Sequence, residues 1–234
     1  MTQIQRVIKY LAMAFAILLT VGIVSGIAGV LAVFTGISGG AEKTGKAEGI
    51  TYEAEIHSLE IDLAAVDLKI QSGETFAVET DSEQIVQKQR NGKLVIEEKD
   101  RKWFGTENGG SVFITVPKEV VLKNVEIDAG AGNITIDCAC LNNLDLDMGV
   151  GDLNITSKLT GKCDIDFGVG EADITLIGSS DDYRIRLDKG IGNATLEGEN
   201  MKNGTYYGDG VNLLEMDGGI GKVTIDFQEE NQSI

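Results

Sequence analysis

From Val125 to the end of the chain, apolar and polar residues alternate in five copies of one twelve-residue pattern. Each copy reads apolar, any, apolar, Asp, any, Gly, any, Gly, any, apolar, any, apolar. The alternation on both sides of the glycine pair predicts two short β-strands with one buried face, and the Gly-x-Gly predicts a sharp corner between them. The copies span residues 125–136, 144–155, 163–174, 185–196 and 214–225, and a sixth copy at 59–70 lacks the glycines.

A unit of this size cannot bury its own apolar face, so the copies must stack on one another. We therefore predict an all-β fold: a single-stranded parallel β-solenoid (β-helix) ectodomain in which each strand pairs in register with its equivalent in the next coil. An antiparallel sandwich is the main alternative, but it does not require the same corner at every repeat. One interior column should hold Ile127, Leu146, Ile165, Leu187 and Met216, and a second should hold Ile136, Ile155, Ile174, Leu196 and Ile225.

The spacing between copies is 19, 19, 22 and 29 residues, and the extra residues in the two longer spacings are expected to protrude as loops. Residues 51–124 are less regular and are predicted to form an N-terminal β region or cap, with a tight hairpin turn at Asn91-Gly92. The repeat solenoid is assigned to 125–234, and its polar tail is expected to cover the last coil.

Residues 10–37 contain no charged side chain and are long enough to cross a bilayer, so we predict one N-terminal transmembrane α-helix. Arg6 and Lys9 precede this segment, which places residues 1–9 in the cytoplasm and the repeat domain outside the cell membrane. Gly22, Gly26 and Gly29 share one helix face and offer a homodimer contact. The Gly-rich segment 38–50 is predicted to be a flexible linker.

The formal net charge is −17, and it is unevenly distributed. Four basic and two acidic residues give residues 1–50 a charge of +2, so the rest of the chain carries −19. Such an acidic domain repels phosphate backbones, which excludes nucleic acid as a partner. Thirty glycines against one proline agree with many tight corners.

The repeated aspartates form the most regular set of polar residues: Asp62, Asp128, Asp147, Asp166, Asp188 and Asp217. In stacked coils these carboxylates would lie about 5 Å apart, where like charges repel. We expect each Asp to accept hydrogen bonds from backbone N–H groups of its own glycine corner. The alternative is a ladder of Ca²⁺ ligands, with Asp128, Asp147, Asp166, Asp188 and Asp217 as the metal-binding residues.

Other candidates for chemistry are sparse. Cys138, Cys140 and Cys163 are expected to be buried free thiols, with a Cys140–Cys163 bridge as the alternative. His57 is the only histidine, and no nucleophile elbow or metal-protease motif accompanies it. We therefore predict no catalytic residue and no cofactor. A basic and aromatic loop with Arg101, Lys102, Trp103 and Phe104 is a candidate interaction site, either packed on the cap or contacting a membrane or partner.

The stretch ITVPKEVVLKNVEIDAGAGNITI, the repeated DxGxG units and the single apolar N-terminal segment resemble the bacterial membrane-anchored "putative adhesin" β-strand-repeat family. The resemblance covers roughly residues 50–228. It implies a parallel β-solenoid at the cell surface, and it supplies no catalytic residues. We expect a non-catalytic envelope protein, adhesin-like or associated with envelope stress, that binds a protein partner or a surface polymer. The alternative is a Ca²⁺-dependent surface ligand-binding module.

Overall fold

The computed structural model describes residues 48–52, 55–99 and 110–230. In these residues fifteen strands form one sheet, and one short 3-10 helix lies at Ser180–Asp182. The strands are β1 Glu48–Tyr52, β2 Ser58–Gly73, β3 Phe76–Thr80, β4 Ile85–Arg90, β5 Lys93–Glu98, β6 Gly110–Pro117, β7 Asn124–Ala131, β8 Ile134–Asn142, β9 Leu144–Val150, β10 Leu153–Thr160, β11 Lys162–Ile177, β12 Tyr183–Leu196, β13 Glu199–Asn200, β14 Tyr206–Tyr207 and β15 Asn212–Gln228.

The repeats stack in parallel and in register, as the pattern predicts. Val125 pairs with Leu144, Asp128 with Asp147, and the same register continues into β11. Each coil has a first arm before the glycine corner and a second arm after it. The second arms of β8, β10 and β11 are also parallel and in register around their central isoleucines. The antiparallel sandwich is therefore excluded.

Both predicted interior columns exist. Every member of the first column and four members of the second are at most 2% exposed, and Leu196 in the terminal coil is half-buried. These side chains belong to one continuous apolar core. Burial of these rows, at about 25 cal/mol per Å² of apolar surface removed from water, is the main force that holds one coil on the next.

The stacking order differs from the chain order at the C-terminal end. β11 pairs with β15, and β15 pairs with β12, so the fifth copy lies between the third and the fourth. The 22- and 29-residue spacings supply the chain that makes this crossing. They are therefore crossover connections, and the prediction that they only form protruding loops is wrong.

Residues 199–207, within the longer connection, cover the edge of the terminal coil. β13 and β14 pair antiparallel with β12, the N–H of Met201 donates to the carbonyl of Ala194, and that of Gly204 donates to the carbonyl of Leu187. Met201 is 5% exposed. The cover thus pairs with β12 at residues 185–187 and 194–196, on both sides of its glycine corner, and leaves less of this edge free to recruit another chain.

The opposite end is closed in a similar way. β5 and β6 form one more parallel coil on β2, and antiparallel strands β4 and β3 then pair with β5 and β6. Asn91 and Gly92 form the predicted hairpin turn, with φ of 50° and 74°. The region before Val125 thus contains both coils and a cap, and β1, which pairs with β3, begins at Glu48, inside the segment predicted to be a linker.

The described residues include no helix long and apolar enough to cross a membrane. The predicted transmembrane helix at 10–37 lies outside the described residues, as do the glycines of the predicted dimer contact.

Candidate binding surface

The repeated aspartates form one continuous row on the outer side of the first arms. In spatial order the row is Glu97, Asp62, Asp128, Asp147, Asp166, Asp217 and Asp188. The predicted ladder therefore exists, with one glutamate added at its N-terminal end. Neighbouring positions are about 4.8 Å apart, which is the spacing of adjacent strands.

The expected hydrogen bonds from the glycine corners to this row are not formed in its middle section. No hydrogen bond within the described residues reaches the side chains of Asp128, Asp147, Asp166 or Asp217, and Asp188 accepts one from Arg186. The prediction is wrong because the strand geometry before the glycines directs these side chains straight out from the sheet.

The side chains that do bind corner N–H groups follow the second glycine site. Asp67 Oδ1 accepts from the N–H of Asn133 at 2.7 Å, Asn133 Oδ1 from Asp152 at 3.2 Å, and Asp152 Oδ1 from Glu171 at 3.2 Å. Each bond joins one coil to the next. The polar residue after each corner is thus structural, because it satisfies backbone groups where the chain turns.

Asp166 lies at the centre of the acidic row, between Asp147 and Asp217. Desolvation raises the pKa of its carboxyl group, and the charges of Asp217 and Asp147 raise it further. The fold therefore holds this carboxyl group where its contact with water is reduced and like charges lie beside it.

A second outward row runs beside the first: Glu60, Glu126, Asp145, Asp164, Glu215 and Arg186. Cations neutralise its two ends. Lys93 pairs with Glu60, Lys162 lies 2.7 Å from Asp164, and Arg186 approaches Glu215 at 3.8 Å. The middle of the surface, around β7 and β9, therefore carries the least compensated negative charge.

The glycines form two stacked rows of their own. A Cβ on Gly149 or Gly168 would overlap the carbonyl oxygen of the equivalent glycine in the neighbouring coil, and the same holds for Gly151 and Gly170 in the second row. Glycine is therefore required for the close approach of coils as well as for the turn.

Between the two glycine rows runs a line of apolar side chains that the sequence pattern treats as unspecified. Register places them in the order Ala65, Ala131, Val150, Val169, Ile220 and Ile191. Ile220 is 48% exposed and Ile191 72% exposed. We call this line the corner ridge. The repeat alignment itself could have revealed it, because the residue between the glycines is always Ala, Val or Ile.

The three cysteines are free thiols, as expected, but Cys140 is half-buried and not buried as predicted. Cys138 and Cys163 are buried, and burial raises the pKa of each thiol to about 11. The alternative bridge between Cys140 and Cys163 is not formed. An irregularity between Thr156 and Lys158 sets Cys140 beside Lys158.

His57 contacts its chain neighbour, with Nδ1 3.1 Å from Ser58 Oγ. Among the described residues no hydrogen bond orients Nε2, and Ser58 is 7% exposed. A nucleophilic serine needs a base held by a third group and a position open to substrate. We therefore interpret this contact as local structure.

Two grooves lie on the described surface, and both are open to solvent. One of about 560 Å³ runs along the start of the first arms past Lys93, Asn124, Asn143 and Lys162. The other, of about 540 Å³, lies at the N-terminal cap beside Tyr52 and Phe76. In the part of the chain that the structure describes, no three His, Cys, Asp or Glu side chains are grouped to hold a metal ion. The Ca²⁺ alternative therefore stays a prediction.

The candidate interaction loop with Arg101, Lys102, Trp103 and Phe104 lies outside the described residues. Its flanking strands are placed, however. β5 and β6 do not pair with each other but with successive arms of β2. The segment between them thus joins two arms of one coil and is not the tip of a hairpin.

Together these features define a class: a capped parallel repeat protein whose outer surface carries continuous rows of equivalent side chains. Within that class the chain belongs to the Toastrack DUF4097 family, whose model matches residues 56–226. This confirms the resemblance found from the sequence. No functionally curated protein matches the chain significantly.

Three solved structures are similar to this chain, and only the first has a TM-score above 0.5. A putative cell adhesion protein from Clostridium sporogenes is 20% identical, with a TM-score of 0.53 over 78% of this chain and 100% of that one. A putative adhesin from Bacteroides fragilis is 15% identical, with a TM-score of 0.35 over 81% and 100%. A putative lipid binding protein from Parabacteroides distasonis is 11% identical, with a TM-score of 0.25 over 80% and 98%. At 20% identity, the Clostridium sporogenes structure shows the fold alone.

Proposed function

We propose that this protein is a non-catalytic scaffold of the cell envelope that binds a protein partner or a surface polymer. The apolar segment 10–37 anchors it in the cytoplasmic membrane, with the N-terminus inside and the repeat domain outside. The proposal is supported by the adhesion name of the Clostridium sporogenes structure, which shares the fold.

The observation that carries the proposal is the register of the coils. In-register stacking repeats each outward side chain at about 4.8 Å, so the domain offers long ordered rows. Short antiparallel strands pair with the outermost coil at each end. Such a surface suits an extended ligand or another protein. An enzyme would require a concave site with converging reactive groups, and the described grooves are open and shallow.

The orientation is tested with protease added to intact cells from which the wall has been removed. We expect the domain after Ile50 to be cleaved while a cytoplasmic marker stays intact. Full protection of the domain, with cleavage after the membrane is opened, would contradict the proposed topology.

Partner binding is tested by crosslinking the full chain on such cells with a reagent that does not cross membranes. The matched control carries residues 1–50 and the same tag but no repeat domain. We expect specific envelope components to be crosslinked to the full chain and not to the control. Identical capture by the two chains would contradict a binding role for the repeat domain.

A further inference from the structure

The corner ridge is the feature of the described surface that the fold itself does not explain. Packing of the coils requires the glycines on both sides of it. Between them Ala131, Val150 and Val169 are half-buried, whereas the last two ridge residues are exposed. A polar side chain would be equally compatible with a position that is 72% exposed, as Ile191 is. Even so, all six positions are apolar, and their side chains grow from Ala to Val to Ile along the axis.

Acidic residues border the ridge along its whole length on one side and in three coils on the other side, where the remaining positions are Asn133, Lys222 and Asn193. Three positions before each ridge residue stands an Asp of the ladder, and two positions after it stand Asp67, Asp152 and Glu171 in three of the coils. The two borders are roughly 17 Å apart along the backbone. At Val150 and Val169 the ridge thus lies between negative charges on either side.

An apolar ridge with acidic borders favours some binding partners over others. A second copy would bring one acidic border against another, and an anionic lipid surface would meet the same repulsion. A segment with an apolar stripe flanked by Lys or Arg would bury the ridge and pair with both borders. An amphipathic helix has this geometry, because its apolar face is one stripe and its basic residues flank that stripe.

The length of the ridge also fits that of an α-helix. Six ridge positions span about 24 Å at the spacing of adjacent strands, which equals about 16 residues of α-helix. A helix with side chains is about 10–12 Å wide, so Lys and Arg on its flanks can extend toward both acidic rows. We propose that the corner ridge is a docking site for a basic amphipathic helix of a partner protein. The proposal rests on the binding function proposed above and specifies the site and the partner's chemistry.

The test uses the full chain in nanodiscs of zwitterionic lipid and an 18-residue peptide of Leu and Lys with Leu at helical i, i+3, i+4 spacing. One control peptide has the same composition in strict alternation, and another has Glu in place of Lys. A photoreactive group on one Leu reports the contact site, and empty nanodiscs give the background. We expect the helical Lys peptide to bind at least tenfold more tightly than either control and to crosslink to the first-arm corners.

Two variants test the apolar ridge and its acidic border separately. V150S/V169S removes ridge surface, and D147N/D166N removes border charge while leaving the ridge intact. Each should weaken binding at least tenfold, and the second should also reduce its salt dependence. The controls are V211S, an equally small change at a Val that is 91% exposed away from the ridge, and D173N on the second arm. Both should bind as the unchanged chain does, and thermal melts verify folding.

Equal binding by the ridge variant and the unchanged chain would overturn the inference, as would equal binding of the Lys and Glu peptides. Dimerisation that V150S/V169S abolishes would assign the ridge to a second copy instead, and tighter binding to anionic than to zwitterionic vesicles would assign it to a membrane. Envelope partners that crosslink equally to the ridge variant would refute this site while leaving the scaffold function standing. Peptide binding in the absence of any crosslinked envelope partner would support this site and contradict the proposed scaffold function.

Discussion

At the scale of single residues, the acidic ladder is the feature whose chemistry differs most from the sequence-based expectation. Backbone groups of the corners are satisfied by Asp67, Asn133 and Asp152, so the carboxylates of Asp147 and Asp166 contribute charge without a compensating hydrogen bond. Neighbouring like charges at strand spacing destabilise the folded state. The ladder is therefore a cost to stability that the core has to offset.

Replacing Asp166 with Asn should stabilise the fold at pH 7. The raised pKa means that the folded state disfavours the charged form. The penalty therefore develops as pH rises from the ordinary value of 3.8 to the raised pKa, is complete above that pKa and is absent below 3.8. We expect a gain of roughly 0.5 kcal/mol, or about 1–2 °C in Tm, at pH 7 that disappears near pH 3.

Thermal melts of D166N and the parent across this pH range measure the effect. D173N is the matched control, because Asp173 is exposed between Asn154 and Thr224 and has no acidic partner in the adjacent strands. A loss of stability in D166N at pH 7 would show that the carboxylate makes a favourable interaction.

The stacked glycines give the opposite case, in which one added methyl group should be severely destabilising. A Cβ on Gly170 would overlap the carbonyl of Gly151, and φ is +153°. We expect G170A to cost roughly 3 kcal/mol or more.

G198A is the control for that substitution. Gly198 has φ of +77°, but no atom lies within 4 Å of the added Cβ. The substitution should therefore cost only the strain of a side chain at positive φ, about 1 kcal/mol. Urea unfolding measures both variants. Equal costs would mean that the coils can move apart to accept a side chain.

At the scale of elements, the twelve-residue pattern determined the strands and their register but not their order. A one-residue shift would turn Ile127 and its equivalents outward, so register follows directly from the alternation. The spatial order of the copies does not follow from the alternation, because every copy presents the same interior columns and stacks equally well on any other. The two longer spacings are the only part of the pattern that distinguishes the last copies, and they do not state which strand lies at the edge.

The cover over β12 should limit association of the domain through this edge. Replacing residues 199–207 with an equally long Gly/Ser segment removes β13, β14 and Met201 and leaves β12 unpaired along its outer edge. We expect association that increases with protein concentration, because an open edge pairs with another chain. Light scattering after size exclusion measures this, with the unchanged full chain as the reference. A variant that associates no more than the unchanged chain at any concentration would show that the edge is protected by other means.

At the scale of the whole molecule, the interleaved order makes the C-terminal strand central. A chain ending at residue 211 loses β15 from between β11 and β12, which separates the terminal coil from the rest of the sheet. We expect this truncation to expose backbone amides throughout β12 and in the adjacent arm of β11. A chain ending at Glu230 retains β15 and should keep the parent's protection.

Hydrogen exchange of the two truncated chains distinguishes these outcomes. Loss of protection confined to the last few residues of the shorter chain would mean that β12 can pair directly with β11. That result would make the interleaved order dispensable.

The position of β15 also has a consequence for how the domain is made. In a solenoid whose coils follow chain order, each coil can pack on the previous one as the chain emerges. Here the third coil must wait with an open edge while the fourth, its cover and the last strand are synthesised. Domain completion is thus tied to the release of nearly the whole chain. During that interval the unpaired edges are exposed to any other strand nearby, so a chaperone or rapid synthesis of the final segment would protect this protein more than one with sequential coils.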